Sequence, residues 1–217
     1  MARLGLLGGT FNPVHLAHLR AAEEVLEAKG LDRMLFIPSA SPPHKAQDGL
    51  VDPALRLEMC RLAVADNPRF EASDLEIRRG GRSYSIGTLR DLHARGERDL
   101  WFVIGTDAFG EIETWKDWRA LFEHAHFVVM SRPGAALDLA SLIPIEVRDR
   151  FCYDPGRRVY THPSGYTVSA VTVTPLDISS SQIRALRAAG RSIRYLVPEA
   201  VEAFIRERGL YREEPKS

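Results

Sequence analysis

The chain has 217 residues, 45% of them hydrophobic and 27% charged, and at about 150 residues per typical domain that is enough for one sizeable core. Lys plus Arg and Asp plus Glu both number 29, so no overall field favours a nucleic-acid coat or an anionic membrane, and any anion must be bound locally. The two cysteines, Cys60 and Cys152, have neither metal-ligand spacing nor the density of a disulfide framework, which points to a reducing cytoplasm.

In chain order, the opening MARLGLLGG is too short in its apolar part for a signal peptide, and no later run approaches the length of a membrane span. Residues 3–8 read as a short buried strand, followed by a helix over 16–29 that Gly30 stops. A second strand is expected over 34–38, and a helix over 53–65 with Asp52 as N-cap and Pro53 at the first helical position. The intervening loop, 39–49, is long for a compact domain and reads as a mobile binding loop. Further on, the patterns predict a helix over 84–94, a strand over 100–105, a helix over 118–123 and strands over 126–133 and 171–175. Helices over 180–189 and 198–208 follow, and the polar tail YREEPKS is expected to fray. Strands alternating with helices imply an α/β fold: a Rossmann-like, doubly wound, mostly parallel sheet with helices on both faces, which binds ligands beyond the strand C-termini.

The stretch GLLGGTFNPVHLAHL, residues 5–19, carries the first chemical signal. Gly8 and Gly9 lack a Cβ, so the backbone leaving the first strand can turn sharply and bring its N–H groups against a phosphate. The helix that follows adds its positive end, but about 0.3–1 kcal/mol for an exposed anion cannot organise a triphosphate alone. His15 and His18, at i and i+3, share a face of the first turn and can both donate to phosphate oxygens. A plain glycine turn with two surface histidines is the bland alternative. Gly5, Gly8 and Gly9 are spaced wrongly for the dinucleotide fingerprint, which removes the main support for hydride transfer.

GGTFNPVHLAH resembles the N-terminal motif of the nucleotidyltransferases marked by His-x-Gly-His, and ISSSQIR, residues 178–184, resembles their Ile-Ser-Ser-x-x-Ile-Arg motif. PPHK (42–45), SYSIGTL (83–89), GTDAFGEIETWKDW (105–118) and the closing FIRERGLY are similar to the bacterial nicotinate-mononucleotide adenylyltransferases within that superfamily. The resemblance covers nearly the whole chain. It implies a single nucleotidyltransferase domain over 1–217, with 179–211 a small C-terminal helical part. There are two departures: Ala17 stands at the usual Gly, which crowds the adenine side slightly, and Asn12 stands where Asp is frequent.

The activity the resemblance implies is adenylyl transfer from ATP, arriving with Mg2+, to nicotinate mononucleotide, giving nicotinate adenine dinucleotide and pyrophosphate in the cytoplasm. His15, His18, Lys45 and Arg184 would be the catalytic residues, offsetting the repulsion between two anions and the charge on the departing pyrophosphate. Gly8, Gly9, Thr10, Phe11, Gly105, Asp107, Ile178, Ser179 and Ser180 would bind ATP. Tyr84, Ser85, Thr88, Trp115 and Lys116 would bind the acceptor, with Trp115 stacking on the pyridine ring and the Tyr84 and Ser85 backbone meeting its carboxylate. No Asp, Glu and His cluster suggests a permanent metal cage, so Mg2+ should be held by phosphates and water. Arg56 could reach the phosphate region or merely solvate its helix and is left out of the site, and Cys60 reads as core packing. The partners expected are ATP and the mononucleotide, with no nucleic acid and no membrane; a homo-oligomer and a monomer are equally open. Another nucleotidyl acceptor, such as nicotinamide mononucleotide or phosphopantetheine, and a nucleotide-binding regulator without turnover are the competing readings.

Overall fold

The computed structural model describes residues 2–42, 49–134 and 137–212. Its strands are β1 (Arg3–Gly9), β2 (Arg33–Pro38), β3 (Phe70–Ala72), β4 (Asp99–Gly105), β5 (His126–Ser131), β6 (Cys152–Asp154), β7 (Val159–Thr161) and β8 (Thr167–Thr172). They form one sheet in the order β3-β2-β1-β4-β5-β8-β7-β6, parallel throughout except for the β6-β7-β8 edge. The helices are α1 (Leu16–Lys29), α2 (Pro53–Val64), α3 (Leu75–Arg79), α4 (Ser85–Ala94), α5 (Thr106–Gly110), α6 (Trp118–Leu121), α7 (Leu139–Leu142), α8 (Ile145–Arg148), α9 (Ser180–Ala188) and α10 (Glu199–Glu207). Among the described residues, no helix is long and apolar enough to cross a membrane.

Helix ends follow local chemistry. The Asp52 side chain accepts from the Ala54 N–H at 2.7 Å with Pro53 behind it, which starts α2, and α1 ends where Gly30 turns left-handed. Successive strand residues face opposite layers. Phe102 and Ile104 pack with Leu89 of α4, Phe109 of α5 and Leu121 of α6. Trp101 and Val103 pack on the other face with Val25 of α1, Met59 and Cys60 of α2, Ile183 of α9 and Ile205 of α10. Both faces are therefore covered, as parallel strands require. Cys60 is wholly buried, and burial pushes its thiol well above the ordinary range, so it packs rather than reacts.

One expected element is shifted, and two more join those expected. The strand expected over 171–175 is β8, Thr167–Thr172. Its inner residues include Thr167 and Ser169, whose hydroxyls bond His126 Nδ1 at 2.9 Å and the Phe127 carbonyl at 3.4 Å, so a buried strand reads as polar. The hairpin β6-β7 is closed by Asp154, whose Oδ1 accepts from the N–H groups of Gly156 and Arg157. Beyond the expected strand over 100–105, Thr106–Gly110 continues directly as α5.

β1 and β4 are neighbours from which the chain winds in opposite directions. A crevice must open beyond their C-terminal ends, the position where open α/β sheets bind ligands.

Candidate active site

A cavity of about 420 Å³ lies at that switch point. Leu7, Gly8 and Gly9 of β1, Ile37 of β2, Phe102 to Gly105 of β4 and Met130 of β5 form its floor, so every one of these strands contributes its C-terminal end. Thr10, His18, Ser39 and Pro42 close one side; Glu76, Ser83, Tyr84, Ser85, Ala108, Trp115 and Lys116 close the other.

His18 is oriented by its own helix start. The His15 backbone N–H donates to His18 Nδ1 at 3.2 Å, and because a main-chain N–H can only donate, Nδ1 is the acceptor nitrogen and Nε2 carries the proton. Phe11, buried and held at φ 47°, packs edge-on against the His18 ring with 5.0 Å between centroids. A bulky residue rarely adopts that backbone conformation, and here it wedges the imidazole in place. His15 does not line the cavity. It is 5% exposed and stacks flat on His18, with 3.6 Å between centroids. Burial lowers its pKa to about 4, so it is neutral at physiological pH.

At the opposite end, Trp115 meets Phe102 edge-on at 6.0 Å, and the Lys116 ammonium sits 4.8 Å over the Tyr84 ring. Tyr84 is the N-cap of α4 but offers no side-chain cap; its carbonyl takes the Gly87 and Thr88 N–H groups, which leaves the Ser85 and Ile86 amides at the helix start. Thr88, expected beside the acceptor, does not line the cavity. It is 2% exposed, and its hydroxyl donates to Glu76 at 2.5 Å.

The second motif is joined to the first. Ser180 Oγ donates to the Pro13 carbonyl and Arg184 Nη1 to the Asn12 carbonyl, both at 2.8 Å, so these two side chains meet the β1–α1 loop rather than the cavity wall. Ser179 is the N-cap of α9 and accepts from the Gln182 N–H at 3.1 Å. Ile178 packs on the α1 side of the sheet, and Asp107 is exposed on the first turn of α5 between the lining residues Gly105 and Ala108. Ala17 is half-buried and not at the cavity wall. Lys45 and His44 lie outside the described residues.

Asn12 has a use that Asp could not supply. Its Nδ2 donates to the Gly49 carbonyl at 3.0 Å, while Oδ1 accepts from the Val51 N–H at 3.3 Å and from the Tyr211 hydroxyl at 2.8 Å. A carboxylate would put an acceptor against the Gly49 carbonyl. Sequence reasoning also passed over Ser39, Glu76 and Ser83 at the wall and Arg56 beneath it. The Ser39 hydroxyl is buried with no hydrogen-bond partner among the described residues.

The arrangement is a glycine-lined strand end and an oriented imidazole donor at one end, with aromatic faces and an uncapped helix start at the other. The sequence matches the cytidylyltransferase-like family over residues 6–186. The chain belongs to the cytidylyltransferase-like family. A protein of Citrifermentans bemidjiense named "probable nicotinate-nucleotide adenylyltransferase" is 53% identical over 211 residues, 96% of this chain and 98% of that protein. A Geobacter sulfurreducens protein of the same name is 52% identical over the same share of each. Among solved structures, the nicotinic acid mononucleotide adenylyltransferase of Plasmodium falciparum complexed with NaAD superposes with a TM-score of 0.73 at 15% identity, covering 97% of this chain and 98% of that one. That likeness shows the shared fold.

For this member of the cytidylyltransferase-like family, Gly8 offers a separable test. A Cβ placed there meets no atom of the described residues within 4 Å, so among them a methyl group would project into open space at the cavity wall. We expect Gly8→Ala to melt as the parent does while raising the KM for ATP on the order of tenfold, because the lost quantity is backbone approach rather than packing. A large drop in melting temperature with unchanged KM would contradict this.

Proposed function

We propose that this chain transfers the adenylyl group of ATP to nicotinate mononucleotide, releasing pyrophosphate and forming nicotinate adenine dinucleotide. The observation that carries the reading is one cavity holding both kinds of recognition: the Gly8 and Gly9 strand end with the His18 Nε2–H, and the Trp115, Tyr84 and Ser85 end. The near-full-length relatives at about 50% identity bear that activity in their names.

An oxygen of the mononucleotide phosphate attacks the α-phosphorus of ATP, forming one P–O bond as the bond to the β-phosphate breaks and its electron pair leaves with pyrophosphate. The attacking phosphate is already ionised, so no general base is required. His18 donates from Nε2 to a non-bridging α-phosphate oxygen, where charge is stabilised at a fixed donor without reorganisation. The Gly8 to Thr10 backbone lies along the triphosphate, and the Ser39 hydroxyl turns to a phosphate oxygen between the two substrates. Arg184 and Ser180 act from α9 through the Asn12 and Pro13 carbonyls, shaping the β1–α1 loop around the phosphates, Ser179 starts that helix, and Lys45 supplies a cation to the outer phosphates. Gly105 and Asp107 take the adenosine side. Mg2+ enters with ATP as part of the substrate, coordinated by phosphate oxygens and water.

Trp115 stacks on the pyridine ring, and the first-turn amides of α4 receive the ring carboxylate with the help of the helix's positive end. Trp115→Ala is then expected to raise the KM for the mononucleotide roughly tenfold or more, the scale of one lost aromatic stack, while the KM for ATP stays near the parent value. Equal effects on both substrates would count against stacking. The reading as a whole is tested by pyrophosphate release from MgATP with nicotinate mononucleotide, nicotinamide mononucleotide or phosphopantetheine. Strong preference for the first is expected; turnover with phosphopantetheine alone would replace the acceptor.

A further inference from the structure

Glu76 is the only acid on the cavity wall among the described residues, and it stands at the end that holds Tyr84, Ser85 and Trp115. It is 8% exposed. An unscreened carboxylate at that end is a poor neighbour for an anionic ring substituent, so its surroundings decide what the cavity accepts.

Lys116 stands on the wall at that end over the Tyr84 ring, and the cation bonded into the Glu76 cluster is Arg79. Thr88 Oγ1 donates to Glu76 Oε1 at 2.5 Å, and the same hydroxyl oxygen accepts from Arg79 Nη1 at 3.3 Å and Nη2 at 3.2 Å. Arg79 Nη2 also lies 3.8 Å from Glu76 Oε1, and Nη1 donates to Asp91 Oδ2 at 2.8 Å. Gly87 makes this placement feasible, because a Cβ there would stand 3.3 Å from Arg79 Nη1 and 3.4 Å from its Cζ. The guanidinium thus lies against α4, behind the cavity wall, bridged to the acid by Thr88 and within ion-pair range of it. Arg79 does not line the cavity.

We propose that Arg79, acting through Thr88, is the counter-charge that lets a cavity containing Glu76 admit a carboxylate-bearing pyridine ring in preference to its carboxamide analogue. The inference rests on the reading that this end of the cavity takes the acceptor ring. With Arg79 present the acid is paired. Without it, Glu76 repels a ring carboxylate and offers an acceptor to a carboxamide N–H. One unpaired unit charge within about 10 Å, at an effective dielectric near 20, changes the preference on the order of tenfold.

The experiment measures kcat/KM with nicotinate mononucleotide and with nicotinamide mononucleotide, at saturating MgATP, for the parent, Arg79→Met, Glu76→Gln and the double variant. Arg79→Met is expected to lower the nicotinate-to-nicotinamide ratio on the order of tenfold, Glu76→Gln to raise it, and the double variant to return it towards the parent. A ratio that does not move, with both acceptors falling together, would show the cluster to be a structural brace and overturn the proposal. Should Arg79→Met fail to fold, Glu76→Gln decides alone: an unchanged or lowered ratio overturns it. A parent enzyme that adenylylates neither mononucleotide sinks the functional reading itself, an outcome distinct from an immobile ratio.

Discussion

Replacing His18 by alanine is expected to lower kcat by roughly 10²–10³-fold in a protein that still folds. The side chain is half-buried at a cavity wall and belongs to neither core layer, although its ring covers those of Phe11 and His15. What disappears is a donor whose direction is fixed twice: the His15 N–H holds Nδ1, and the Phe11 ring holds the imidazole plane. Because the bond strengthens as charge develops on the α-phosphate oxygens, kcat and kcat/KM should fall together, with the KM for ATP little changed. Circular dichroism and the melting curve separate this from unfolding. Near-parental turnover in a folded variant would remove His18 from the mechanism. His15→Ala makes a useful comparison, since His15 reaches the cavity only by stacking beneath His18, and its effect should be smaller.

Much of this site was legible because its signals are local. A strand end, a glycine pair and a helix start are contiguous in sequence, so Gly8, Gly9, Thr10 and His18 come to one wall with little help from tertiary structure. Tyr84, Ser85, Gly105, Trp115 and Lys116 also reach it, each at or near the start of a helix or the end of a strand. The residues that sequence reasoning missed or misplaced depend on distant partners. Thr88 has an ordinary helical position, and only Glu76 and Arg79, on α3, turn its hydroxyl away from the ligand. β8 was shifted because Thr167 and Ser169 are buried by hydroxyl bonds to β5, which no hydropathy pattern records. β3 has three residues and a half-exposed run, so it depends on pairing with β2 and on packing of Phe70 and Ala72 against the core.

Arg56 is the largest such case, and its replacement should produce the largest loss of stability. In sequence it is one basic residue on an amphipathic helix, where solvation is the ordinary reading. In the fold it is 0% exposed, and its three hydrogen bonds among the described residues all end on main-chain carbonyls: Nε to Val51 at 2.8 Å, Nη1 to Thr10 at 2.7 Å and Nη2 to Ala40 at 3.3 Å. Burial pulls its pKa below the ordinary arginine value, yet a guanidinium stays protonated at neutral pH. One side chain therefore fastens the loop after β1 and the loop after β2 to the start of α2. Arg56→Met fills much of the volume but leaves three carbonyls short of a donor, at a cost of about 3–5 kcal/mol, which corresponds to roughly 10 °C in melting temperature for a domain of this size. Lysine keeps the charge but has no planar fork to reach three diverging carbonyls, so Arg56→Lys should recover less than half of the loss. Thr10 lines the cavity, so whatever enzyme remains folded should also show a raised KM for ATP while that for the mononucleotide changes less. A melting temperature within about 2 °C of the parent for Arg56→Met, less than 1 kcal/mol on the same scale, would mean that water or a shifted loop satisfies those carbonyls, and that the cavity's phosphate end does not depend on this clamp.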